Sequence, residues 1–241
     1  MDLLNSSGSS GPSDILVTGY KYSAVDHLHR TLVQLCTCAL PVTPENTIPN
    51  ITFCEGLLPS EYPHLNISQS TKIVYVVRNP KDIAGTLYRN SDDYDDTYLS
   101  DYLIRFINGL PDGNWCQHTR DWSTFLSQHP TSNLHLIYFD DLVTDFEQEI
   151  SKLCQFLNID KNYVKICTVC MSVRKESEQP EQKRRKLHHT ENDHDYNEIF
   201  FEAGKWKGLF TVKLAEEMDN IMLDELKDTN LDFQKLLRPY L

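Results

Sequence analysis

The chain has 241 residues, 40% of them hydrophobic, which suits one domain or two small ones with a sizeable core and excludes wholesale disorder. Its net charge of −12, from 35 acidic against 23 basic residues, excludes broad binding to nucleic acid or anionic membranes but leaves room for a local basic pocket. Seven scattered cysteines do not form a secreted disulfide framework.

Residues 1–13 are a Ser/Gly/Pro-rich tail, expected to be disordered and lacking the basic and apolar regions of a signal peptide. ILVTG, residues 15–19, reads as a strand, and residues 24–37 have helical spacing with Leu28, Leu32 and Leu35 on one side. A short strand is expected over 51–54. KIVYVV, residues 72–77, reads as a strand buried on both faces, as in a parallel sheet. NPKD then opens a helix, with Pro80 in its first turn and Asp82 favourable to the positive end of the dipole. Helical patterns follow at 97–108, 114–127, 145–157 and 160–170, with a strand, LHLIYF, at 134–139.

Strands alternating with helices predict an α/β fold with a parallel sheet flanked by helices, here as a single domain over 14–241. Ligands in such sheets bind beyond the carboxyl ends of the strands, which places Arg78 in a ligand's reach. Residues 174–195 hold almost nothing to bury and read as a charged flexible loop, with KRRK at 183–186 a solvated run within it. Cys167 and Cys170 form one CxxC with no second pair at zinc-site spacing, so no metal is expected. No apolar run approaches the ~20 residues that span a bilayer. The chain reads as cytoplasmic, which makes the sequons at Asn5, Asn50 and Asn66 chance matches.

KIVYVVRNPKDIAGTLYRN, residues 72–90, closely resembles the cytosolic sulfotransferases, which use 3′-phosphoadenosine 5′-phosphosulfate (PAPS) as sulfuryl donor. The shared pattern is a strand, then RNPKD, then a hydroxyl residue eight positions after the arginine, here Arg78 and Thr86. A guanidinium offers a phosphate two parallel donors, and a hydroxyl near a helix N-terminus adds another. FINGLPDGNWCQHTRDW (106–122), HPTSNLHLIYFDDLVTDFEQEISKLCQFLNI (129–159) and WKGLFTVKLAEEM (206–218) resemble further family segments in order. The resemblance implies a P-loop-kinase-like α/β core, with PAPS or its desulfated product, 3′-phosphoadenosine 5′-phosphate (PAP), as cofactor.

The resemblance fails at the reacting groups. The family's phosphosulfate loop has the form PKSGTTW. Here Lys21 falls on the proline, Tyr22 on the lysine, Ser23 in place and Ala24 on the glycine, while Val25, Asp26 and His27 fall on TTW. Asp26 sets a negative charge where a dianionic donor would lie. EGLLP, residues 55–59, stands where the family has KTHLP, so Glu55 takes the lysine position and Leu57 that of the histidine base. Of the family's RKGxxGDWK, Ile199 and Phe200 replace the basic pair and Lys205 the aspartate, while Gly204, Trp206 and Lys207 remain.

The implied cofactor contacts are therefore Arg78, Thr86, Ser23, Lys21, Lys205 and Trp206, with Lys21 and His64 as candidate catalytic substitutes. The expected function is that of a sulfotransferase-family protein with impaired or absent transfer. The alternatives are an active enzyme using substitute residues and a non-catalytic dimer partner of an active paralogue. The family's KxxxTVxxxE dimer motif is complete in Lys207, Thr211, Val212 and Glu216, which implies a homodimer or a heterodimer with a paralogue. Thr211 also suits a helix N-cap.

Overall fold

The computed structural model describes residues 14–39, 49–61, 70–89, 98–109, 113–128, 133–159 and 203–237. The tail at 1–13, the helix at 160–170, the CxxC, the loop at 174–195, His64, Ile199 and Phe200 lie outside the described residues. The elements run β1 (Ile15–Gly19), α1 (Val25–Ala39), β2 (Ile51–Glu55), β3 (Lys72–Val77), α2 (Pro80–Arg89), α3 (Leu99–Ile107) and α4 (Trp115–Gln128). They continue with β4 (Leu134–Tyr138), α5 (Phe139–Thr144), α6 (Phe146–Leu157), a 3-10 turn (Lys205–Gly208), α7 (Val212–Leu226) and α8 (Phe233–Leu237).

The strands form one parallel sheet in the order β2-β1-β3-β4. The period of two along β1 and β3 divides their side chains between two cores. Ile15, Val17, Val74 and Val76 join Leu28, Leu32 and Leu35 of α1 and Ile150 and Leu153 of α6 on one face. Leu16, Ile73, Tyr75 and Val77 join Tyr88, Phe106, Trp115, Trp122, Trp206 and Met222 on the other. Helices on both faces are why KIVYVV carries no polar alternation.

The end of β4 differs from the expectation. β4 ends at Tyr138, and Phe139 turns directly into the short helix α5, so the acidic pair Asp140 and Asp141 lies in a helix's first turn. A break at Asp145 separates α5 from α6, and α6 ends on Asn158 in the left-handed conformation.

RNPKD forms the corner that fastens the C-terminal segment to the sheet. Asn79 caps α2, its Oδ1 accepting from the Lys81 amide at 3.0 Å, and its Nδ2 donates to the Leu237 carbonyl at 2.7 Å. Pro80 takes the first helical position, where no amide is needed. Lys81 is buried, with its ammonium 4.1 Å from the Trp206 ring centroid and bonded to both Asp219 carboxylate oxygens at 2.5 and 2.6 Å. Burial lowers the pKa of Lys81 and raises that of Asp219, so desolvation outweighs pairing at both ends. The pair thus sets the position of α7 against α2 more than it adds stability.

Asp82, 1% exposed, accepts from the Gly204 and Trp206 amides at 2.7 and 3.0 Å. Asp82→Ala strands both amides beside the core and is expected to cost roughly 2–4 kcal/mol, about 1–3 for each buried donor less partial rehydration. Urea unfolding measures this; a loss below ~1 kcal/mol contradicts the assignment.

Candidate functional site

The carboxyl ends of all four strands lie along one edge, where Gly19 is in register with both Glu55 and Val76, and Val77 with Tyr138. β1 leaves the sheet at Gly19, where a Cβ would stand 2.5 Å from the Val76 carbonyl oxygen. The following turn closes by Ser23 N–H donating to the Tyr20 carbonyl at 3.1 Å. Tyr22 and Ala24 adopt φ of 64° and 59°, left-handed values that normally favour glycine. The loop therefore keeps a glycine-rich turn's shape without its glycines, at a cost on the order of 1–2 kcal/mol per residue. Ser23 is fully buried, and its hydroxyl has no hydrogen-bond partner among the described residues. The Lys21 stem runs across Gly56, where a Cβ would lie 3.2 Å from Lys21 Cγ.

Arg78 secures this loop from beneath. It is 1% exposed; its Nη1 donates to the Tyr22 carbonyl at 2.7 Å, and its guanidinium lies 4.4 Å from the Phe139 ring centroid. Burial pulls its pKa down, while Asp82 and Asp140 pull it back up. The structure thus brings Arg78 and Ser23 together, with Tyr22 between them. Thr86 sits further along α2, also buried.

The turn after β2 is fixed from α4. Trp122 Nε1 donates to the Leu57 carbonyl at 2.7 Å, and His118 Nε2 lies 3.1 Å from the same oxygen. His118 Nδ1 lies 3.3 Å from the Tyr75 hydroxyl. These contacts suit a neutral ring with its proton on Nε2 and Nδ1 accepting from Tyr75. Burial lowers the His118 pKa to about 4 despite the Leu57 carbonyl and Glu61. His27, on the loop side of α1, is likewise lowered to about 4 by burial. Leu57 itself is buried.

Glu55 ends β2 beside the loop. Desolvation by the surrounding loop, then the charge of Asp26, raise its pKa to about 7, although the residue as a whole is exposed. The Tyr22 amide and Lys21 act in the opposite direction. Asp26 pairs with Arg30 at 2.5 Å one helical turn on. The turn at 204–208 stands over α2: Trp206 is buried beneath Lys81, and Arg89 donates to the Lys205 carbonyl at 3.1 Å. In the KxxxTVxxxE strip, Thr211 caps α7 by accepting from the Leu214 amide at 3.2 Å, while Lys207, Val212 and Glu216 are exposed.

A sulfotransferase domain model matches residues 57–230, well over half of the chain. The chain belongs to the sulfotransferase family. It is similar to sulfotransferase 1B1 of Canis lupus familiaris, with 27% identity over 172 residues, 68% of this chain and 57% of the relative. It is similar also to the 3-alpha-hydroxysteroid sulfotransferase of Cavia porcellus, 27% over 177 residues, covering 68% and 59%. Against sulfotransferase 1B1 of Mus musculus it is 25% identical over 261 residues, 93% of this chain and 86% of the relative. In the first two comparisons the chain spans less than two thirds of the relative's length.

Solved structures that share the fold include two complexes. Mouse sulfotransferase SULT7A1 complexed with PAP matches with a TM-score of 0.67 and 21% identity, over 96% of this chain and 90% of that one. Retinol dehydratase in a complex with retinol and PAP matches at 0.64 and 15%, over 92% and 84%. Among the described residues no helix is long and apolar enough to cross a membrane.

His118, which holds the Leu57 turn, is not among the site residues expected from the sequence. Its signal was the four-residue spacing to Trp122, which puts both rings on one face of α4 and lets both reach Leu57. A histidine with a folded-state pKa depressed from 6.5 to about 4 contributes stability above pH ~6.5 that is lost as pH falls through about 4. The full contribution is about 3 kcal/mol. His118→Gln is expected to flatten the decline of unfolding free energy between pH 6.5 and 4, whatever its stability at neutral pH. An unchanged slope contradicts this assignment.

Proposed function

We propose that this chain is a sulfotransferase-family protein that retains part of a PAP site and transfers sulfuryl groups at a severely reduced rate or not at all. Loss of transfer follows from the family resemblance, which puts a base at Leu57 and cations at Tyr22 and Glu55. The observation that carries the reading is the Leu57 turn. A buried leucine stands there with its carbonyl tied to Trp122 and His118, and the His118 imidazole is sequestered and neutral.

The fit to the nucleotide is divided. The loop backbone, the unpartnered Ser23 hydroxyl and the flanking Arg78 suit an oxyanion, and with Thr86, Lys21, Lys205 and Trp206 they are the residues we assign to the cofactor. Glu55 and Asp26 oppose a dianion. PAPS would supply the sulfuryl group; this chain's part would be to hold and orient the nucleotide. Losing a general base costs roughly 10²–10⁴ in rate and a charge-stabilising donor about 10²–10³. Without assuming full additivity, ~10⁴ off a median turnover of about 10 s⁻¹ leaves ~10⁻³ s⁻¹.

A second reading concerns assembly. Val212, 53% exposed between Lys207 and Glu216 of the dimer strip, supports an isologous contact with another copy or a paralogue. Light scattering tests it: a Val212-dependent dimer is expected, and a monomer at 100-fold dilution and at high concentration alike, about 1–100 μM, removes it. We place the protein in the cytoplasm, in line with the free cysteines among the described residues, and treat residues 14–241 as one domain.

Calorimetric titration with PAP tests the main reading. Binding is expected, weakened about tenfold or more in Arg78→Lys, a variant that keeps the buried charge but not the bidentate fork. Turnover from PAPS should stay at or below ~10⁻³ s⁻¹ with varied acceptors. Turnover near 1 s⁻¹, abolished by Lys21→Ala or His64→Ala, would establish the active-enzyme alternative instead.

A further inference from the structure

Glu55 ends β2 where β1 gives way to the loop, and the two strand ends are locked by the Gly56 amide donating to the Gly19 carbonyl at 2.8 Å. From there its carboxylate accepts from the Tyr22 backbone amide. Left-handed residues such as Tyr22 and Ala24 turn neighbouring amides to one side, the arrangement that collects anions. Next to them stands the fully buried Ser23 hydroxyl without a partner among the described residues. An anion-collecting loop with an unused hydroxyl thus already has one of its amides engaged by a carboxylate of the same chain.

We infer that Glu55 is an internal anion seated on the β1–α1 loop, and that an external phosphate or sulfonate oxyanion occupies the loop only when Glu55 is displaced or protonated. This rests on the reading of the loop as an oxyanion site and adds its regulation. The charged groups around Glu55 fit the role. From α1, Asp26 faces it and disfavours its ionisation, with Arg30 held on Asp26. From the loop, Lys21 and the Tyr22 amide favour ionisation. His29 of α1 is engaged at the far end of β2, 3.1 Å from the Ile51 carbonyl oxygen. On its own strand and the turn beyond stand Cys54 and Glu61; burial first, then the charges of Glu61 and Glu55, raise the Cys54 thiol pKa.

A carboxyl titrating at about 7 is mostly ionised at pH 8 and mostly neutral at pH 6. The competent, neutral fraction at pH 8 is then about one tenth, and apparent affinity falls by that fraction. Glu55→Gln should therefore bind PAP about tenfold tighter than the unchanged chain at pH 8 and within about twofold of it at pH 6. Taking the ratio at each pH cancels the ligand's own ionisation.

The test pairs PAP calorimetry with ¹⁵N–¹H spectra of the Tyr22 amide, using inorganic sulfate as a second probe. The expected results are a Tyr22 amide that titrates near pH 7 only in the unchanged chain, and a ligand affinity ratio that closes on acidification. Equal PAP affinity in both proteins at pH 8 keeps the nucleotide reading and overturns the role of Glu55. Sulfate perturbing Tyr22 more strongly in Glu55→Gln, with no PAP binding at millimolar concentration, supports Glu55 and overturns the nucleotide reading. A Tyr22 amide unmoved by pH, sulfate and PAP overturns both.

Discussion

The buried Asp82 carboxylate, bonded to the amides of Gly204 and Trp206, is the contact on which the rest of the arrangement depends. It sits where β3 turns into α2, so one side chain joins the central strand to a segment more than a hundred residues later. Around it, Asn79 reaches Leu237, Lys81 reaches Asp219, and Arg78 reaches back to Tyr22. RNPKD therefore has a complete structural use before any ligand is considered. The segment's place in the fold does not depend on whether the chain transfers sulfuryl groups.

The same corner explains how the β1–α1 loop holds its form. A loop with two non-glycine residues at positive φ is strained, and strain persists only where the surroundings over-determine it. Arg78 supplies that constraint, anchored on the Tyr22 carbonyl and held against Phe139. Shape and charge have thus separated. The backbone and Ser23 still suit an oxyanion, whereas Glu55 and Asp26 have made the mouth of the loop acidic. Positioning and charge stabilisation are most of what sulfuryl transfer asks of a protein, which is why the reduced transfer we propose follows from charge rather than from shape.

Much of this was legible in the sequence. KIVYVV announced a doubly covered strand because both of its faces meet helices, and NPKD announced α2 because capping is local chemistry. The short helix α5 was not legible, because six residues after a strand carry too little helical periodicity to mark it, whereas α6 begins within a residue of its expected start. Nor was the use of Lys81, whose partner lies 138 positions away, or the convergence of His118 and Trp122 on a carbonyl that no side-chain pattern reveals. The position of Glu55 over the Tyr22 amide depends on the β1–β2 register, which periodicity leaves open.

The central claim is that the fold still presents a sulfuryl-transfer scaffold and that its missing reacting groups are what chiefly limit transfer. Restoring them tests it most directly. The triple variant Tyr22→Lys, Glu55→Lys, Leu57→His should be compared with the unchanged chain for release of radiolabelled sulfate from PAPS, with water as acceptor so that no acceptor need be known. Thermal unfolding of both proteins confirms that each is folded. The account predicts an acceleration of about 10²-fold or more, the contribution of a base or of one charge-stabilising donor. A folded triple variant no faster than the unchanged chain would contradict it.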